Sequence, residues 1–289
     1  MADLLQPLAD GVMLGATYSL LGLGFTLIFG VLRRLNLAFG PTVLVGIYAG
    51  SLWHWLRPGS LWPVAALTVA GAVLAGLYVE RCSFSALARQ APVVSMISSF
   101  AVSMQLQELV TLVAPSRTMP YPAPDWLPTI ELGPVLLRSD GLLMWGGATL
   151  LTAALFLLLY RTRFGIAIRA LTDSREGAAL MGVNVTAVGA AAFLIASAAG
   201  GAAGILIAAS QQQVTPYFGL WATVKGLTAM LLGGAGSLVG AVVGGLILGV
   251  VETEALSHWG GQWRDLTAYA LLFIVAAARA RAAGGGARG

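Results

Sequence analysis

Long apolar runs separated by short polar ones dominate the chain, at 11–32, 35–56, 61–79, 92–113, 141–160, 186–210, 221–251 and 266–278. The runs 11–32 and 141–160 carry no charged side chain, and each is close to the ~20 residues that cross a ~30 Å hydrocarbon core as a helix. The pattern predicts an all-α, polytopic transmembrane bundle of about eight spans. Two runs are interrupted. Gly40-Pro41 removes a backbone donor within the second, and Gly233-Gly234-Ala235-Gly236-Ser237 punctuates the seventh, so broken or re-entrant helices are expected at both places. If the seventh turns back at its glycines, the count becomes nine.

Composition agrees with a lipid environment. The 289 residues are 58% hydrophobic and 10% charged, against about 25% charged in soluble domains, too little polar surface to face water on all sides. Only Asp3 and Asp10 are charged before the first run, so no basic leader precedes it and it reads as a retained span. Cys82 is the single cysteine, which excludes an intramolecular disulfide. His54 and His258 lie far apart in sequence beside Trp53, Trp55 and Trp259, a pattern of membrane interfaces and not of a metal site. No catalytic triad order, carboxylate pair or ligand cluster stands out, so neither an enzyme nor a metal or other cofactor is expected.

The net charge of +4 is informative through its placement, which points to lipid and not to nucleic acid. With the N-terminus outside, Arg33, Arg34, Arg81, Arg89, Arg161, Arg163, Arg169 and Arg175 fall inside, while Arg57, Arg117, Arg138 and Arg264 fall outside. The positive-inside rule selects this orientation. It also keeps Arg279, Arg281 and Arg288 inside if 221–251 turns back at its glycines. The loop 114–140 then lies outside, and Pro115, Pro120, Pro122, Pro124, Pro128 and Pro134 predict an extended segment. A glycine-rich basic tail, 282–289, is expected to be disordered. Glycines four apart (Gly11/Gly15, Gly46/Gly50, Gly200/Gly204, Gly240/Gly244, Gly245/Gly249) predict close helix contacts. Interrupted, glycine-rich runs in both halves leave room for an inverted repeat.

The segment 161–185, RTRFGIAIRALTDSREGAALMGVNV, mixes both charge signs on the inner side. Phe164, Ile168 and Leu171 recur at helical spacing and predict a short amphipathic helix along the interface. Asp173 or Ser174 is an N-cap for a second helix, Glu176 sits in its first turn, and Gly182 ends it. That helix projects Leu180 and Met181 into the cytoplasm, either to dock on another protein or to lie against the bilayer.

This segment, with Arg161-Thr162, Gly165, Ala167, Arg169-Ala170, Glu176, Ala178 and Leu180 to Asn184, resembles the cytoplasmic loop of the branched-chain amino acid ABC transporter permease family. The stretches at 15–31 and 232–241 resemble that family's first span and its late glycine-rich segment. The resemblance implies one transmembrane permease domain over 1–281, with 161–185 as its coupling loop, in a bacterial cytoplasmic membrane. It implies ATP-binding subunits, a second permease and an external substrate-binding protein as partners, with Arg169, Ser174, Glu176, Leu180, Met181 and Gly182 on the ATPase side. No GxxxxGK[ST] loop is present, so ATP hydrolysis would belong to a partner chain. Where the family reads N-F-A-H-G, this chain has Asn36-Leu37-Ala38-Phe39-Gly40. Branched-chain amino acids are the first expected cargo, with urea or short amides as the alternative.

Four residues are candidates for the pathway: Asn36, which either meets substrate or caps the backbone at the break; Phe39; and Gln105 with Glu108, one turn apart within a span. Lys225 is expected to snorkel, and Glu252 and Glu254 to be solvated. A stand-alone secondary transporter or channel competes with the importer reading, but it calls for more intramembrane carboxylates than Glu108 supplies.

Overall fold

In lipid the backbone must satisfy its own hydrogen bonds, and the apolar runs accordingly fold as helices. A computed structural model describes residues 2–114, 118–123, 130–132, 135–137 and 139–285. Its helices are α1 (Ala2–Leu32), α2 (Phe39–Leu56), α3 (Leu61–Val79) continued by a π-helical turn (Glu80–Ser85), α4 (Pro92–Val113), α5 (Ser139–Arg161), α6 (Arg163–Asp173), α7 (Arg175–Leu180), α8 (Val185–Gln211), α9 (Phe218–Gly233), α10 (Leu238–Trp259) and α11 (Gly261–Gly285). Six are long and apolar enough to cross a membrane by themselves: those containing Leu5–Leu32, Leu61–Ser85, Pro92–Val113, Ser139–Arg161, Val185–Gln211 and Leu238–Trp259. With α2, α9 and α11 packed among and beside them, the fold is the polytopic helical bundle that the hydrophobic pattern predicts.

Both interruptions take a definite form. Gly40-Pro41 does not cut a helix in two; it starts one. Residues 35–38 are non-helical, α2 begins at Phe39, and Pro41 falls in the first turn, where its missing N–H costs nothing. The run 221–251 divides into α9 and α10 around Gly234 (φ 103°) and Gly236 (φ 93°), and the chain turns back there.

The contacts obey a pseudo-two-fold exchange of α1 with α8, α2 with α9, α3 with α10 and α4 with α11. Thus α1 packs on α10 as α8 packs on α3, and α1 on α9 as α8 on α2. The pairs α2–α3 and α2–α4 match α9–α10 and α9–α11. Leu32 at the end of α1 lies beside Gly189 near the start of α8, so these helices run antiparallel and the repeat is inverted. On the pseudo-axis, α2 and α9 meet start to start. A Cβ at Gly40 would lie 1.9 Å from the Gly219 carbonyl oxygen, and the Gly40 N–H donates to Thr223 Oγ1 at 3.1 Å. Only glycine permits that approach. From there α2 runs toward β1 and β4, while α9 runs to the turn that lies beside α6.

Glycine spacing also sets the α1–α10 crossing, where a Cβ at Gly249 would lie 2.4 Å from Gly15 Cα. Ser19 Oγ donates across the same crossing to the Val242 carbonyl at 2.8 Å. At one end of the bundle, β1 (Met119–Pro120) pairs antiparallel with β4 (Gln213–Val214), and β2 (Ile130–Leu132) with β3 (Val135–Leu137). Gln6 holds β3 through both backbone groups of Leu136. Tyr121 donates or accepts at Thr68 Oγ1 across 3.0 Å, and burial pushes its phenol up to about 12. Residues 282–285 of the expected tail continue α11; 286–289, with Arg117, Arg138, Pro115, Pro124, Pro128 and Pro134, lie outside the described residues.

Candidate functional site

At the opposite end from the strands, α6 and α7 form a platform. Gly165 allows the turn from α5 into α6, since a Cβ there would lie 2.0 Å from the Leu159 carbonyl oxygen, and Thr162 caps α6 by accepting from the Gly165 N–H at 3.2 Å. Ile168 and Leu171 are buried beneath α6, with Phe164 half-buried beside them, as their spacing predicts. Ser174 then caps α7: its Oγ accepts from the Gly177 N–H at 3.0 Å. At the other end Gly182 takes φ 82°, and Val183 N–H donates back to Ala178 at 3.0 Å. Glu176 is exposed in the first turn. Leu180 is 89% exposed and Met181 85%. Two large apolar side chains thus stand exposed on a helix fixed at both ends, with only Ala178 buried under it.

Arg169 sits apart from that tip. Its guanidinium lies over the Tyr160 ring at 4.9 Å, back toward the bundle. Arg33 joins the platform to the body, donating to the Thr172 carbonyl at 2.8 Å, while Arg34 donates to the carbonyls of Leu87, Ala88 and Gln90. Both arginines neutralise carbonyls left open where a helical segment ends.

The four pathway candidates do not form one site. Asn36 is buried, and its Oδ1 accepts from the Ala38 N–H at 3.0 Å, the capping role; its Nδ2 has no partner among the described residues. Phe39 is a core side chain, with its ring 4.7 Å from that of Phe25 and its edge against Gly24 and Gly200. Gln105 and Glu108 lie on the exposed side of α4, where Gln105 accepts from the Tyr78 hydroxyl at 2.9 Å.

Two expectations fail at one place. Lys225 does not snorkel and Glu252 is not solvated: Nζ and Oε1 are 2.6 Å apart, with side-chain exposures of 1% and 0%. Lys225 also reaches Asp265 Oδ1 at 3.1 Å, Tyr18 donates to Glu252 Oε2 at 2.9 Å, and Arg264 Nη2 donates to the Tyr18 oxygen at 3.3 Å. Two cations and two carboxylates from α9, α10 and α11 thus form a neutral cluster on α1, the arrangement that makes buried charge tolerable. Glu254, by contrast, stays partly exposed beside His258. The signal was present, because a lone lysine in a membrane chain needs a counter-ion. Its partners stand 27 and 40 residues away, and no periodicity links them.

Comparison with known proteins gives a consistent picture. A family model described as branched-chain amino acid transport system, permease component, matches residues 8–276. The chain is 31% identical over 284 residues to the high-affinity branched-chain amino acid transport system permease protein LivH of Escherichia coli, spanning 94% of this chain and 92% of that one. It is 30% identical to LivH of Salmonella typhimurium and 29% to BraD of Pseudomonas aeruginosa, with the same coverage. A solved metal-chelate type ABC transporter in an inward-facing conformation shares the fold, with TM-score 0.51 and 18% identity over 94% of this chain and 85% of that one.

Proposed function

The chain belongs to the family of branched-chain amino acid transport system permeases, and we propose that it is the membrane subunit of an importer that moves branched-chain amino acids inward, driven by ATP hydrolysis in partner chains. The observation that carries this reading is α7 itself, a helix locked by Ser174 and Gly182 that leaves Leu180 and Met181 exposed. An exposed apolar pair on a rigid support is suited to a groove on another protein. Around it the structure gathers Arg33, Arg34, Arg161, Arg163 and Arg175, and Arg279 approaches from α11 near Gly234. The positive-inside rule supports placing this end in the cytoplasm and the N-terminus and strands outside. Ser174, Glu176, Leu180, Met181 and Gly182 then make the ATPase contact, with Arg169 behind them. A substrate-binding protein meets the strand end, and a second permease completes the pathway.

The test is co-purification with candidate ATP-binding subunits. Wild type should retain them. Leu180→Asp should lose them and all ATP-dependent uptake while keeping its membrane level. Retention of the ATPases by Leu180→Asp, or uptake by the chain alone without ATP, would remove this function.

A further inference from the structure

Arg169 is a half-buried arginine without an anion. Among the described residues no carboxylate lies within ion-pair distance of it and no acceptor takes its N–H groups; the guanidinium lies over the Tyr160 ring. A guanidinium is charged at every physiological pH and carries five donors in a planar fork. It lines a cavity of about 270 Å³ between α1, α6 and the start of α10.

Three further features of that cavity favour an anion with an apolar tail. Thr26, 1% exposed, is one of its lining residues, and its buried hydroxyl has no hydrogen-bond partner among the described residues. The 22-residue α10 begins there, its dipole's positive end inward, with Ser237 Oγ taking up the Gly240 N–H but not the rest of the first turn. Leu27, Leu159 and Val239 wall the rest, and Val239 leads onto the exposed apolar face of α10 with Val243 and Ile247. Asp173 stands at the rim, exposed, and makes no ion pair with Arg169.

We propose that this cavity binds the phosphate of an anionic phospholipid, with Arg169 as its main ligand, Thr26 and the start of α10 as secondary donors, and the acyl chains along α10. The lipid source follows from the site's position, because the cavity lies at the polar end of membrane-crossing helices and opens beside apolar surface. The proposal does not depend on what the chain transports. It gives Arg169 a task different from contact with an ATPase.

The test measures phospholipid retained by the purified full-length chain after exchange into detergent, by mass spectrometry, following expression in membranes containing phosphatidylglycerol. Arg169→Gln should retain about tenfold less than wild type, the effect of losing a charged hydrogen-bonded pair. Thr26→Val should show a smaller loss, and Arg161→Gln, an exposed arginine outside the cavity, should show none. Equal retention by wild type and Arg169→Gln overturns the proposal. If Arg169→Gln fails to accumulate, phosphatidylglycerol added back to delipidated wild type decides: saturable binding that phosphatidylcholine does not match supports the site, and indistinguishable binding of the two overturns it. Displacement by millimolar inorganic phosphate would show that the cavity takes a free anion and would refute the lipid source. Because the readout is bound lipid, it stands whether or not the chain associates with ATPases.

Discussion

Lys225 shows how a single residue's role depends on what surrounds it. In water its ammonium would be solvated; here Glu252, Asp265 and the Tyr18 and Trp221 rings take the place of solvent. Removing one member of a buried pair leaves the other uncompensated and costs about 3–5 kcal/mol, whereas removing both together can be nearly neutral. Lys225→Met should therefore lower the unfolding temperature in detergent sharply, and Lys225→Met with Glu252→Gln should recover most of the loss. If the double variant is no more stable than the single one, the pair is not the unit that matters. Lys225 was visible in the sequence as the only lysine, but its burial was not, because charge pairing between helices leaves no local pattern.

Among the elements, α6 and α7 were the most legible. Apolar spacing, an N-cap and a terminal glycine are local signals, and local hydrogen bonds answered them residue by residue. Ser174→Ala should cost about 1 kcal/mol of α7 stability. The expected result is faster amide deuterium exchange over 175–181 with the remainder of the bundle unchanged, while Leu180→Asp leaves exchange there as in wild type. Unaltered exchange in Ser174→Ala would mean that the cap does not hold the helix. Element boundaries near Gly40 and Pro41 were less legible. The same dipeptide can interrupt a helix or begin one, and the choice is made by Gly219 and Thr223 across the pseudo-axis.

For the whole molecule, the exposed faces differ in kind. α5 shows Trp145, Leu150 and Leu157, which suit acyl chains, whereas α4 shows Gln105 and Glu108 among Ile97 and Met104. An amide and a carboxylate on a membrane helix are costly against lipid and tolerable against protein or water. The second permease of the proposed importer is therefore expected on α4. With Cys82→Ser as background, Met104→Cys should cross-link to the paired permease and Leu150→Cys should not; the reverse pattern would place the partner on α5.

The sequence by itself determined that the chain is a helical membrane protein, which family it resembles, which end bears the arginines, and how α6 and α7 are built. The resemblance rests on the motifs at 15–31, 161–184 and 232–241; the others follow from composition, from periodicity or from hydrogen bonds spanning a few residues. Only the tertiary structure decided that α2 and α9 start at a common glycine contact, that the two halves are related by an inverted exchange of helices, and that Lys225 and Glu252 are buried as a pair. These depend on which helix faces which. In lipid that choice rests on backbone approach and polar pairing between distant segments, and not on a hydrophobic pattern that every span shares.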